Sequence, residues 1–178
     1  MRLFFAIWPP EPTATALHHW AVAAQAVVGG RAIAVANIHL TLAFLGSVPA
    51  ERVEVAIGAG RRVAGELAER AEPLALPITE ARYWPRSHIV WVGPKEAPAP
   101  LAALGADLGR ALSEAGFAPD SRELVAHVTL LRDVPRLRGL PDLPKVEWPI
   151  TEFALARSVT GAAGSVYTIL ARFALGYT

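Results

Sequence analysis

Ile38-His39-Leu40-Thr41-Leu42-Ala43-Phe44-Leu45-Gly46 is the stretch from which the fold is read. In a strand, alternate side chains point to opposite faces. Ile38, Leu40, Leu42 and Phe44 then share an apolar side, and His39 and Thr41 share the other. Further along, Ala126-His127-Val128-Thr129-Leu130-Leu131 repeats the arrangement, with Ala126, Val128 and Leu130 inward and His127 and Thr129 opposite. With five His and nine Thr in 178 residues, about a quarter of one His-x-Thr match is expected by chance. Two matches, both in apolar strand-like settings and both followed by Leu, suggest a weak internal duplication.

Working outward, the first strand is expected over Met1 to Trp8, before Pro9 and Pro10 interrupt it. Ala14, Leu17, Ala21, Ala24 and Val28 recur at helical spacing and are closed by Gly29-Gly30. Val35 to Leu45 reads as a strand. Val53, Ile57, Gly60, Ala64 and Leu67 make a second helical stripe, and Leu101, Leu104, Leu108, Leu112 and Ala115 a third, capped by Gly116. Strands are expected at 74–78, 88–92 and 125–131. Segments 153–159 and 166–175 would form a closing hairpin through Gly161-Ala162-Ala163-Gly164. Pro135 to Pro149 is rich in proline and reads as a surface loop. Strands that alternate with helices and end in a hairpin favour an α+β class over a purely parallel sheet.

The length fits one domain, residues 1–178, able to bury a sizeable core. The chain is 53% hydrophobic and 19% charged, and no apolar run reaches the 18 or so residues of a membrane span. Met1 to Trp8 is too short for a signal peptide, so a cytoplasmic, monomeric protein is the expectation. There is no cysteine, which excludes disulfides, thiolate metal sites and cysteine nucleophiles. A net charge of +1 gives no global pull on nucleic acid, so phosphate recognition has to be local. Fifteen arginines against Lys95 and Lys145 suit bidentate contacts to phosphate, although the bias also fits genome composition.

Two opposed imidazoles are what the opening of a cyclic phosphate requires. One group must take a proton from the attacking water and another must give one to the departing ribose oxygen. Imidazole has the side-chain pKa best placed for both near neutrality. Thr41 and Thr129 would donate to the non-bridging oxygens, where charge grows. Neither motif carries a carboxylate at metal-ligand spacing, so no metal and no cofactor is expected.

His39-Leu40-Thr41-Leu42-Ala43-Phe44-Leu45-Gly46 and His127-Val128-Thr129-Leu130-Leu131-Arg132 resemble the two signature motifs of the two-histidine phosphoesterase superfamily. The similarity is to its RNA 2′,3′-cyclic phosphodiesterase branch, historically called 2′-5′ RNA ligases. It extends to Arg2-Leu3-Phe4-Phe5-Ala6-Ile7, to Trp84-Pro85-Arg86 with Ile89 to Gly93, and to Ser158 to Tyr167. The resemblance implies a bilobal fold of two pseudo-symmetric halves, with mainly antiparallel sheets lining a central cleft and helices outside. It also implies RNA ends or short oligonucleotides with 2′,3′-cyclic phosphate as substrates, a 2′-phosphomonoester as product, nucleotides as further ligands, and no obligate protein partner. His39 would be the proton donor and His127 the proton acceptor. Arg132 would join Thr41 and Thr129 in binding phosphate, and Phe44 would stack on a base. Strict alternation puts Phe44 and Arg132 on the wrong face, so a bulge or strand end has to intervene. Ala126 and Leu131 depart from the family, which often has Pro before the second motif and Ala after it. No lysine sits in a nucleotidyl-transfer context, so ligation would be a reversal of phosphodiester chemistry.

Two other readings stay open at this stage. One is a non-catalytic module binding RNA ends or a nucleotide in the same cleft. The other is a metallohydrolase around the two histidines. His18 and His19 read as surface residues and His88 as a residue that could line the cleft. Trp20, Trp84, Trp91 and Trp148 read as core or rim packing.

Overall fold

β1 (Arg2–Ile7) is apolar on both faces, and this double burial places it inside the fold. Leu3, Phe5 and Ile7 point into the main core, while Phe4 and Ala6 join a second, smaller cluster with Ala156, Trp8 and Tyr167. The computed structural model describes residues 1–70, 73–120, 124–161 and 164–176. After β1 come α1 (Glu11–Val28), β2 (Arg31–Ala32), a 3-10 turn (Val35–Asn37), β3 (Leu40–Ser47), α2 (Val53–Arg70), β4 (Leu74–Ala75) and β5 (Glu80–Trp84). Then follow β6 (Ile89–Gly93), α3 (Ala99–Glu114), β7 (Val128–Arg132), β8 (Pro149–Ile150), β9 (Glu152–Gly161) and β10 (Gly164–Ala174).

The main sheet has eight strands, all paired antiparallel, along the path β10-β9-β1-β3-β7-β6-β5, with β2 added to β7. β4 and β8 form a separate small ribbon. α1 packs on β2 and β7, α2 on β9 and β10, and α3 on α2 and β3, which leaves the other face of the central strands open. The class is α+β with antiparallel sheets and the helices outside. The implied halves, β10-β9-β1-β3 and β7-β6-β5 with β2, are continuous rather than separate. They join through one ladder pair, Leu40 opposite Val128.

The helices follow their stripes. In α1, Leu17, Ala21 and Ala24 are fully buried, and the helix stops at Gly29, whose positive φ of 73° suits a residue without Cβ. Pro12 falls in the first turn, where the amide has no helical partner. Residues 135–148 are irregular and are tied to α1, with the Thr13 hydroxyl donating to the Glu147 carbonyl at 2.6 Å and Trp20 Nε1 to the Pro141 carbonyl at 3.1 Å.

Four strand expectations change, the strand expected over 125–131 beginning only at Val128. Val35 to Asn37 is a 3-10 turn, closed by Ile38 N donating to Val35 O at 3.2 Å, so the strand begins only at Leu40. The strand expected at 74–78 ends at Ala75, since Pro77 has no amide to extend a ladder. β5 has no counterpart among the expected strands, because Glu80-Ala81-Arg82-Tyr83-Trp84 carries polar residues on an edge strand and shows no apolar run. In the closing hairpin, Ala162 and Ala163 lie outside the described residues.

Candidate active site

The Leu40–Val128 pair is antiparallel, so the two motifs are related by a local two-fold axis between them. The residues before and after Leu40 on one strand face those after and before Val128 on the other. His39, Thr41, His127 and Thr129 all line one cavity of about 680 Å³ on the open face of the sheet. Phe44 and Arg132 line it as well.

Their presence follows from two matching irregularities. Against β1, the register of β3 slips between Thr41 and Ala43, and against β6 the register of β7 slips between Thr129 and Leu131. Leu42 and Ala43 are both buried, as are Leu130 and Leu131. One extra residue thus turns inward, the fourth after each histidine, and the fifth returns to the cavity face. Phe44 is 41% exposed there, with the Arg2 guanidinium 5.5 Å from its ring centroid. Arg132 is exposed at the rim.

Both imidazoles are oriented in the same way. Nδ1 of His39 is 2.7 Å from the carbonyl oxygen of Asn37, and Nδ1 of His127 is 2.8 Å from that of Val125, two residues back in each case. A carbonyl only accepts, so each Nδ1 carries a proton and each Nε2 is left for chemistry.

The surroundings of the two rings differ. His39 is packed by Phe4 at 5.3 Å, Trp8 at 5.4 Å and Tyr167 at 5.0 Å between centroids, while His127 has Trp84 at 4.7 Å and Trp91 at 6.1 Å. Burial among its rings, with Arg132 and His127 as nearby positive charges, lowers His39 from 6.5 to about 4 against the raising effect of its bond to Asn37. His127 is also lowered, chiefly by burial and against its bond to Val125.

The remaining wall is polar and mainly cationic. Arg2, Arg31 and Arg132 line it with the hydroxyls of Ser158, Thr160 and Ser165, while Asp133 is held by Arg31 at 3.5 Å. Among the described residues, no three of His, Asp and Glu converge as a metal-holding group. Such a cavity can hold a phosphodiester anion between two imidazoles and pass protons on either side of it.

Several expectations outside the motifs are corrected. His18 is half-buried and its Nδ1 lies 2.8 Å from the Ile33 carbonyl, so it ties α1 to the chain entering the first motif, while His19 is exposed. His88 does not line the cavity, being in the β5–β6 turn at a φ of +53°, near Tyr83 and the Val134 carbonyl. Trp84 and Trp91 serve the site by flanking His127, whereas Trp20 and Trp148 are buried packing. Phe4, Trp8 and Tyr167 do not stand out in the sequence, since β1 and β10 reach the first motif only through tertiary pairing. The one available signal was strand parity, which sets Phe4, Ala6 and Trp8 on a common face.

The 2′-5′ RNA ligase superfamily model matches residues 9–162, a span that includes both motifs. The RNA 2′,3′-cyclic phosphodiesterase of Escherichia coli (strain K12) is 36% identical over 176 residues, covering 98% of this chain and 96% of that protein. Among solved structures, E. coli LigT complexed with 3′-AMP superposes with a TM-score of 0.79 at 33% identity, covering 98% of this chain and 97% of LigT. TT0787 of Thermus thermophilus superposes with a TM-score of 0.82 at 29% identity, covering 99% of each chain. A paired-histidine cavity, a family match across both motifs and full-length similarity to these proteins agree, and this chain belongs to the 2′-5′ RNA ligase superfamily.

Proposed function

We propose that this chain, acting as a single domain over residues 1–178, hydrolyses the terminal 2′,3′-cyclic phosphate of RNA ends or short oligonucleotides to a 2′-phosphomonoester. The observation that carries the proposal is the pair of like-oriented imidazoles, each with Nδ1 donating to the carbonyl two residues back and Nε2 left for chemistry, lining one cationic cavity. His127 takes a proton from water as the water oxygen bonds to phosphorus. The bond from phosphorus to the 3′-oxygen breaks, and His39 gives its proton to that oxygen. Proton exchange with solvent then resets the pair. Thr41, Thr129 and Arg132 bind the non-bridging oxygens, and Phe44 offers a flat ring to a base.

The family resemblance supports His39 as donor and His127 as acceptor. The binding of 3′-AMP by LigT supports nucleotides as further ligands. With a ribose 5′-hydroxyl in place of water, the same two proton transfers give a 2′–5′ linkage. No metal or cofactor enters these steps.

The test is incubation in excess chelator with a short RNA ending in 2′,3′-cyclic phosphate, resolving 2′- from 3′-phosphate products. The 2′-phosphate is expected, and its formation should fall at least about 100-fold in His39→Ala and in His127→Ala. Tight, salt-sensitive binding without product would replace the enzyme with a binding module. Loss of activity on chelation would replace the mechanism with a metal-dependent one.

A further inference from the structure

His39 is fixed by anchors that converge on the 3-10 turn over Val35–Asn37. Its own Nδ1 is bonded to the carbonyl of Asn37. The indole Nε1 of Trp8 donates to the carbonyl of Ala36, the preceding residue of the same turn, at 3.3 Å. The Asn37 side-chain amide donates to the carbonyl of Ser165 at 3.0 Å, two residues before Tyr167 on β10. Two neighbouring carbonyls therefore set the imidazole and the indole side by side, with their planes 28° apart and centroids 5.4 Å apart. Tyr167 meets the imidazole edge-on, with planes 80° apart.

A cation is attracted by the face of an aromatic ring within about 6 Å, and tryptophan is the strongest such partner. Burial first, to which Trp8 itself contributes, and then the charged groups facing His39 disfavour a charge on it. His127 and Arg132 act on it from the second motif, Arg2 lines the same cavity from β1, and the nearby carboxylate of Asp133 is engaged by Arg31. A proton donor at this position needs a neighbour that favours the imidazolium. The turn supplies one by locking an indole face against the ring.

We propose that Trp8 is a positioning residue for the proton donor, its indole holding the His39 imidazolium in place and stabilising the charge it carries before the 3′-oxygen departs. Trp8 lies in neither motif, and the proposal rests on the acid–base reading of the site. Trp8 sits half-buried just after β1, packed on the smaller cluster of Phe4, Ala6 and Ala156 and outside the main core.

The test is an NMR titration of labelled histidine with inorganic phosphate bound, together with pH profiles of kcat, for wild type, Trp8→Leu and Trp8→Phe. In Trp8→Leu, which keeps an apolar side chain over His39 and removes the ring face, the His39 midpoint should fall by about half a pH unit. The limb of the kcat profile that titrates with His39 should move down with it, while KM stays within about twofold and the His127 midpoint holds. Trp8→Phe, which keeps an aromatic face, should recover most of the shift. Should Trp8→Leu fail to fold, Trp8→Met serves the same arm. An unchanged His39 midpoint in a folded Leu or Met variant would overturn the proposal, as would a Phe variant shifted as far as the aliphatic one. Failure of the underlying acid–base reading would register separately, as retained turnover in His39→Ala.

Discussion

At the scale of residues, the free site holds both histidines below their ordinary value, whereas the proposed cycle needs one of them charged. A cyclic phosphate is a diester anion that does not titrate in this range, so kcat/KM reports the histidines of the free protein. Both limbs of its bell should lie below pH 6.5, and an optimum above pH 7.5 would contradict the electrostatics of the site. Bound anion raises both imidazoles, so the kcat profile should sit at higher pH than that of kcat/KM. Phosphate binding should also take up a proton and weaken as pH rises, which calorimetry in buffers of different ionisation enthalpy measures. The paired hydroxyls give a further expectation: Thr41→Val and Thr129→Val should each lower kcat about 10- to 100-fold with little change in fold, read by single-turnover kinetics and circular dichroism. His39, Thr41, His127 and Thr129 were legible because strand alternation and a repeated motif are properties of local sequence. The ring packing around His39 was not, because Phe4, Trp8 and Tyr167 arrive from strands whose neighbours are fixed only by the sheet.

At the scale of elements, β7 is only five residues long, yet together with His127 just before it, it carries half of the candidate site. Its backbone is approached closely on two sides by glycine. A Cβ on Gly93 would run into the carbonyl oxygen of Ala126, directly before His127, and one on Gly30, at a φ of +84°, would meet the Arg132 backbone. Gly93→Ala should therefore push the segment carrying His127 away from β6 and disturb its register with β3, lowering stability by about 1–3 kcal/mol and lowering kcat by more than KM changes. Urea unfolding and steady-state kinetics check both parts, and wild-type kinetics in the variant would show that the strand accommodates the methyl group. Neither glycine stood out in the sequence, where each reads as a turn residue next to proline or another glycine. The three helices were legible from their stripes, since a helix needs only its own spacing. The edge strand β5 was not, because its pairing with β6 supplies what its composition lacks. The positions assigned to Phe44 and Arg132 required a bulge or a strand end, and the ladder shows a register slip before each.

For the whole molecule, acid stability and connectivity follow from the same site. His39 is neutral in the folded protein down to about pH 4, while the unfolded chain takes up a proton near 6.5. Above pH 6.5 the group has no effect on stability. Between about 6.5 and 4, folding should lose at most about 3 kcal/mol, less in proportion to the solvent that reaches the ring. Urea unfolding at pH 7.5 and 4.5 should show a smaller difference in His39→Asn than in wild type, and equal differences would remove His39 as the cause. The sheet has a second consequence. Its two halves meet at one ladder pair, yet the chain passes between them repeatedly: β1 lies in one, β2 in the other, β3 back in the first, β5 to β7 in the second, β9 and β10 in the first again. No single cut in the polypeptide can therefore separate the two halves. A nick in the irregular segment 135–148 would leave a large fragment holding both histidines and a small one holding β9 and β10, the strands that cover β1 and bring Tyr167 to His39. The large fragment would hold the β7-β6-β5 half with β2 entire but only β1 and β3 of the other, and activity after such a cut would measure how well the two pieces find each other.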